Sequence, residues 1–325
     1  MLLNLLQQFD IALTDFLTIL LACGLGLFFI LGGLCLPLAA LVTEGLYTGN
    51  RKAFYDKCAL QMAQSAFASA MFPYTVIGFC VAIALALFRP DLLDPPLVWR
   101  PVAGLGLPLA VLACLAAYVM SWAPLKKIRA LHLLAGLVAA LACLTLLFLG
   151  ILLLGNLQQP MIFDMLWDTP LPVLQNLIDD FLLIPHQWFM LAFLILTGLV
   201  AGFSLAQLWV FIRRNKTDYG RDYYSFALRY CARGAIFFCL AATALGAFIF
   251  HRLYTATPGE FRQPADLGVL VVAYALPLVC CLLWFLMIKS DTPLRHKGGA
   301  FFACLFQLVA LCAQLTALVS TFPLV

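Results

Sequence analysis

Long apolar stretches alternate with short polar links along the whole chain. A helix needs about 20 apolar residues to cross the hydrocarbon core of a bilayer. Eight stretches reach this length, and each predicts one membrane-spanning helix. They lie near residues 16–42, 60–88, 102–122, 131–155, 187–211, 235–254, 267–288 and 300–323. The pattern therefore predicts an all-α polytopic membrane protein with about eight transmembrane helices.

The composition supports lipid as the main solvent of this chain. Of its 325 residues, 65% are hydrophobic and only 10% are charged. A soluble globular domain has roughly 25% charged residues. A soluble protein class is therefore excluded, and no polar segment is long enough to form a separate soluble domain. We expect membrane lipids as partners, and nothing in the sequence indicates nucleic acid.

The positive charges predict an orientation. The chain has 19 Lys and Arg residues, and nearly all of them lie in the links that follow the odd-numbered spans. The four exceptions are Arg89, Arg100, Arg252 and Arg262. Links rich in Lys and Arg stay in the cytoplasm. The distribution thus predicts a multi-pass protein of the cytoplasmic (inner) membrane with both termini on the outer, periplasmic side.

The two halves of the chain look alike when one is shifted by about 168 residues. Spans 16–42 and 187–211 correspond, and so do the next three pairs. Each of these first spans is followed by a basic link that contains tyrosines. Because each half has an even number of spans, the copies share one orientation, which makes a parallel repeat. We expect two four-helix bundles, formed by residues 1–160 and 161–325.

The predicted spans contain few polar groups. No ionisable residue lies deep in any of them, which argues against a relay of buried carboxylates for protons. Several spans contain a proline, including Pro277, and each proline frees a backbone carbonyl that a neighbouring polar group should satisfy. Glutamines such as Gln207 and Gln314 are expected to form hydrogen bonds between helices. The twelve cysteines include no CxxC pair and are interpreted as small apolar side chains.

Charged residues at the predicted cytoplasmic ends are candidates for contact with lipid or with a partner protein. Glu44 closes the first span and is expected to form an interfacial ion pair with Arg51 or Lys52. The fifth link is the most basic. It contributes the further candidates Arg213, Arg214, Lys216 and Arg221. Such residues fix topology beside anionic headgroups, and docking of a partner subunit is the alternative.

Two of the four histidines are candidate cofactor ligands. His186 and His251 lie at the predicted outer ends of the fifth and sixth spans, whereas His132 and His296 are predicted to be cytoplasmic. Two histidines at one depth could hold a b-type haem through two axial bonds. The alternative is a pair of interfacial histidines that face water and headgroups.

Several stretches of the chain resemble a known family. They are residues 8–14, the run from Glu44 to Tyr47 with Gly49 and Tyr55, residues 155–160, and Gly198 with Gly202. Together they are similar to the start of subunit I of cytochrome bd-type quinol oxidases, over about residues 5–230. The resemblance implies an outer N-terminus and two four-helix bundles.

The chain also departs from that family where its chemistry resides. The resemblance places Thr18 and Phe193 where the family has haem-ligating histidines. The third span, 102–122, contains no carboxylate, residues 255–266 are too short for a quinol-binding loop, and a ninth span is absent. The resemblance therefore implies a haem-deficient, auxiliary membrane subunit of a redox or respiratory electron-transfer complex. Such a subunit is not catalytic on its own, packs against partner membrane subunits, and has haem b or quinone as the cofactors to test.

Two other functions stay open from the sequence. Eight spans, a parallel repeat and prolines within spans are also compatible with a small-molecule transporter or permease, although no charged residue is placed where a substrate or coupling ion would bind. A structural or assembly protein without a ligand is the third interpretation.

Overall fold

The computed structural model describes residues 13–50, 53–88, 99–125, 128–155, 170–183, 185–217, 219–256 and 264–321. Regular secondary structure in these ranges is entirely helical. The helices are α1 (Leu13–Asn50), α2 (Ala53–Phe88), α3 (Trp99–Met120), α4 (Arg129–Gly155), α5 (Pro170–Leu183), α6 (Pro185–Arg213), α7 (Arg221–Ala256), α8 (Pro264–Lys289) and α9 (Lys297–Thr321). A 3-10 turn, Pro293–Arg295, precedes α9.

The prediction of an all-helical protein with helices that could cross a membrane is confirmed, whereas the number of eight spans stays a prediction. Among the described residues, six helices are long and apolar enough to cross a bilayer, in α1, α4 and α6 to α9. The other two predicted spans fall in α2 and in α3, where Gly106–Met120 forms a shorter apolar helix. The sequence pattern did not predict α5. That helix, like α6 and α8, begins at a proline, whose fixed φ and missing N–H suit the first helical position.

The chain forms two compact units. We call Gly33–Leu194 the central unit, and Met1–Gly32 together with Ile195–Val325 the split unit. This grouping places residues 161–194 with residues 33–160, whereas the sequence repeat divides the chain at residue 160. The arrangement as two four-helix bundles stays a prediction.

Small residues let the helices of the central unit approach closely. A Cβ added at Gly33 of α1 would lie 2.7 Å from the backbone nitrogen of Ala70 in α2. Buried alanines recur every three or four residues along the same helix. They are Ala59, Ala63, Ala66 and Ala70. Small residues of this kind let membrane helices pack by backbone contact, where the hydrophobic effect contributes little.

The split unit follows the same packing principle. A Cβ at Gly32 would lie 3.2 Å from the backbone nitrogen of Gly202, and one at Gly234 would lie 2.6 Å from the ring of Phe203. The prediction that a proline frees a carbonyl for a neighbouring polar group is confirmed at Pro277. The carbonyl four residues earlier, at Ala273, accepts a 3.1 Å hydrogen bond from Nε2 of Gln314.

Several helices keep an apolar face exposed. On α4 the exposed leucines include Leu134, Leu137 and Leu141, which recur at helical spacing. On α8 the face includes Val271, Leu278 and Leu282. A protein in water would not leave such stripes uncovered, so these exposed faces are compatible with contact with lipid.

Candidate functional site

Glu44 lies inside the first candidate membrane span, Leu21–Tyr47, near its C-terminal end. The residue is only 1% exposed. An ionised carboxylate that is removed from water needs hydrogen-bond donors or an opposite charge. The partners of Glu44 therefore define the candidate site.

Two other helices supply those partners. The hydroxyl of Tyr118, in α3, donates a 2.9 Å hydrogen bond to Oε2 of Glu44. On the other side, Nδ1 of His132, in α4, lies 2.6 Å from Oε1. Both carboxylate oxygens are thus engaged, each by a different helix. We call Glu44, Tyr118, His132 and the adjacent Trp122 the Glu44 cluster.

The carboxylate fixes the imidazole of His132. When Glu44 is ionised it can only accept hydrogen bonds, and the hydrogen of this contact then lies on Nδ1 of His132. The other ring nitrogen, Nε2, is buried and has no hydrogen-bond partner among the residues that the structure describes. The same arrangement, in which a carboxylate orients a histidine through one nitrogen and leaves the other available, is used by histidines that bind metals or accept protons.

Aromatic rings enclose the imidazole. Trp122, on the turn after α3, meets the His132 ring edge-on at 4.4 Å between centroids. The Tyr118 ring lies 5.0 Å from the same imidazole. Gly136, one turn beyond His132, makes room for this tyrosine, because a Cβ there would lie 2.8 Å from Cε2 of Tyr118. The cluster is therefore held by packing as well as by hydrogen bonds.

A second set of polar contacts lies one helical turn away from the Glu44 cluster. Arg129 donates to Asp56 of α2 at 3.2 Å, and its guanidinium lies 3.9 Å from the ring centroid of Tyr47. The side chains of Arg129 and Asp56 are 27% and 20% exposed. Because residues three apart share a helix face, Arg129 stands beside His132, and Tyr47 beside Glu44. We call Tyr47, Asp56 and Arg129 the Arg129 layer.

Buried polar residues continue along α2. Gln61, Ser65 and Ser69 are spaced by four residues and are all buried. Nearby, the hydroxyl of Thr43 in α1 donates to the carbonyl oxygen of Ala39 at 2.7 Å and lies 3.7 Å from the sulfur of Met62. We call Gln61, Ser65 and Ser69 the α2 polar stripe. The central unit thus contains a polar face within an otherwise apolar set of helices.

The structure shows the contacts of some of the charged residues that the sequence suggested for binding lipid or a partner protein. Glu44 is engaged by Tyr118 and His132. Arg51 and Lys52 lie outside the described residues, so their ion pair with Glu44 stays a prediction.

The basic residues after α6 remain at the surface. The guanidinium of Arg213 lies 4.8 Å from the ring centroid of Trp209, and Arg214, Lys216 and Arg221 are exposed. Stacking of an arginine on an indole at the end of an apolar helix is compatible with the membrane interface. Contact of these residues with lipid or with a partner protein stays a prediction.

The structure does not bring the two candidate haem ligands, His186 and His251, together in a site that it describes. His251 is exposed near the end of α7, and the side chain of His186 lies outside the described residues. Phe193, at the position that the resemblance assigns to a haem ligand, is buried and cannot bind iron. No group of three or more His, Cys, Asp or Glu residues suited to a metal ion occurs in the described part of the chain.

The split unit contains buried polar atoms without described partners, and Gln207 is the described residue in which both side-chain polar atoms lack one. Gln207 of α6 is fully buried. Neither its Oε1 nor its Nε2 has a hydrogen-bond partner among the described residues. A buried amide without partners costs free energy.

The charge pattern of the sequence predicts a cytoplasmic position for His132 but does not by itself connect this residue with Glu44. Both residues were predicted to lie at cytoplasmic ends of spans, and therefore at a similar depth. The pair could have been predicted from one signal. An acidic and a basic side chain lie at the same depth on helices of the same predicted bundle. Tyr118, in the last turns of α3, would have completed it.

No protein-family model matches this chain, and a search of curated proteins finds no match either. The resemblance to cytochrome bd subunit I therefore rests on the residues quoted above.

Proposed function

We propose that this chain is an auxiliary, haem-deficient integral membrane subunit of a redox or respiratory electron-transfer complex. In this proposal it crosses the inner membrane eight times, as two parallel four-helix bundles with both termini outside, and packs against partner membrane subunits. The observation that carries the proposal is the Glu44 cluster.

Ionisable side chains inside a membrane protein are costly and usually mark an ion path or a cofactor site. Glu44 and His132 are such a pair, and each is at most 3% exposed. Glu44 and Tyr47 also belong to the stretch that resembles the cytochrome bd subunit. In contrast, the resemblance places Phe193 where the family has a haem-ligating histidine. A polar site without the haem ligands supports an auxiliary role rather than oxygen reduction.

The first experiment is spectral and compositional. The chain is purified in mild detergent from its native membrane, and a reduced-minus-oxidised spectrum is recorded together with the identities of co-purifying proteins. We expect less than stoichiometric haem and at least one membrane subunit of a redox complex. Stoichiometric haem, or a chain without redox partners, would contradict the proposal, and haem would return attention to His186 and His251.

The second experiment tests the Glu44 cluster within the assembled complex. His132→Gln should reduce quinol-dependent electron transfer at least tenfold while the partners still co-purify. His296→Gln, at the start of α9, is the matched control and should retain full activity. Equal activity of both variants would remove the Glu44 cluster from the proposal.

A small-molecule transporter is the second candidate, and Gln207 is the observation that favours it. A buried amide without partners could bind a polar substrate group inside the split unit. Uptake of solute by the isolated chain in liposomes, abolished by Gln207→Leu, would support this function over the first. A chain that neither transports nor joins a redox complex would fit a structural or assembly role.

A further inference from the structure

His132 combines three properties that are seldom found together inside a membrane protein. Its side chain is 4% exposed, its Nδ1 is held by a carboxylate at 2.6 Å, and its Nε2 lacks a partner among the described residues. A neutral imidazole that donates from Nδ1 presents a lone pair at Nε2. Such a nitrogen can accept a proton.

Charge balance gives a reason for that proton to bind. With a neutral imidazole, the Glu44 cluster contains one buried negative charge, on Glu44. The nearby cation, Arg129, is already paired with Asp56. A proton on Nε2 converts His132 to an imidazolium in contact with Glu44, and the two charges then compensate each other. An uncompensated buried charge is far less favourable than a paired one.

We propose that Glu44 and His132 form a buried proton-binding site that exchanges its proton with water through the Arg129 layer. The bound proton comes from water and forms an N–H bond at Nε2, and no electron is transferred. This inference does not depend on whether the chain serves a redox complex or a transporter. Its test can therefore fail while the proposed function stands, and the reverse is also true.

The route to water follows from the spacing of the two layers. Arg129 lies one turn from His132 on α4, and Tyr47 lies one turn from Glu44 on α1. Arg129 and its partner Asp56, on α2, are partly exposed. The side chains of the Arg129 layer therefore separate the buried pair from solvent by a single turn. On α2, the polar stripe of Gln61, Ser65 and Ser69 is buried and offers polar groups further along the helix.

The groups that face the pair come from four helices. Among the described residues they are Tyr47 on α1, Asp56 on α2, Tyr118 on α3 and Arg129 on α4. Asp56 and Arg129 have opposite charges and largely cancel at the distance of His132. Glu44 is therefore the group whose charge controls proton binding at Nε2.

The test is direct observation of the His132 ring. The full chain is labelled with ¹⁵N-histidine in lipid nanodiscs, and the ring signals are followed from pH 4.5 to 9, with His132→Gln used for assignment. We expect His132 to gain a proton at Nε2 within this range while Nδ1 remains hydrogen-bonded. In Glu44→Gln the proton affinity of the ring should fall about a hundredfold, as expected for one unit charge at about 5 Å.

Tyr118→Phe is the matched control, because it removes a hydrogen bond to Glu44 but leaves the charge. Its ring should titrate within about threefold of the wild type. Asp56→Asn should slow the exchange of the ring proton with deuterium from water and leave the affinity within about threefold.

Two results would overturn the proposal. One is a wild-type His132 ring that stays in a single protonation state across the whole range. The other is a folded Glu44→Gln variant with unchanged proton affinity. If Glu44→Gln does not fold, Glu44→Asp replaces it, and loss of proton uptake in that charge-retaining variant would count against the proposal.

Discussion

Gly136 offers a sharp test of how the Glu44 cluster is packed. In Gly136→Ala, the new Cβ would lie 2.8 Å from Cε2 and 3.0 Å from Cζ of Tyr118, and 3.1 Å from Cδ1 of Leu41. The ring of Tyr118 is fully buried and its hydroxyl is fixed on Glu44. We expect the ring to move, and the hydrogen bond to Glu44 to weaken.

The magnitude follows from three contributions. Overpacking a buried site costs about 1–3 kcal/mol. Loss of a hydrogen bond to a charged group costs about 1.5–3 kcal/mol. Replacing glycine by alanine within a helix returns about 1 kcal/mol. We therefore expect Gly136→Ala to lower the free energy of unfolding by about 1.5–5 kcal/mol.

The assay is reversible unfolding of the purified chain in mixed micelles by a denaturing detergent, followed by circular dichroism. Gly150→Ala is the matched control, because it lies on the same helix and its added Cβ would meet nothing within 4 Å. That variant should be as stable as the wild type or slightly more stable. A cost below about 0.5 kcal/mol for Gly136→Ala would refute the packing described above.

A double-mutant cycle identifies the cause. In a Tyr118→Leu background the large ring is absent, so Gly136→Ala should cost less than about 1 kcal/mol. Neighbouring residues that share a cause are not additive. An equal cost of Gly136→Ala in both backgrounds would show that Tyr118 is not the group that the new methyl displaces.

Three further predictions concern stability in the same unfolding assay. Gln207→Leu should stabilise the chain by about 1–2 kcal/mol, because it removes a buried amide without described partners. Gln314→Leu should destabilise the chain by about 1 kcal/mol, because it leaves the carbonyl of Ala273 unsatisfied. The opposite order of stabilities would contradict the hydrogen-bond assignment. Asp56→Asn should change stability by less than about 1 kcal/mol, since the ion pair with Arg129 is partly exposed, and a larger loss would mean that the pair is buried. Gly33→Ala should cost about 1–3 kcal/mol because its Cβ would meet the backbone of α2, which cannot move aside, and a neutral result would refute the close approach.

The helical membrane class could be predicted because apolar length alone determines it. A run such as residues 131–155 has no soluble interpretation, and α4 occupies it. The short helix α5 was not predicted because its 14 residues are too few to cross the membrane and their pattern is interrupted by Asn176, Asp179 and Asp180. Local apolar length therefore predicts the spans well and the connecting helices poorly.

The Glu44 cluster could not be predicted in the same way, because it depends on which helices are neighbours. Glu44 lies 74 residues before Tyr118 and 88 residues before His132, and the three residues come from three helices. Each one alone is compatible with an interfacial position. Only the packing of α3 and α4 against α1, made close by Gly136, turns three interfacial candidates into one buried site. A prediction from the sequence would have required the helix arrangement as well as the span boundaries.

The contrast between the two buried polar sites bears on function. In the split unit, Nε2 of Gln314 satisfies the carbonyl at Ala273 that Pro277 frees, so the fold accounts for its donor, while its Oε1 has no hydrogen-bond partner among the described residues. In the central unit, no such structural need accounts for His132. A leucine could fill the space beside Trp122 at less cost than a histidine whose Nε2 has no described partner, provided that Glu44 were replaced too. The fold alone therefore does not require the Glu44–His132 pair, and proton binding gives both residues a reason to be there.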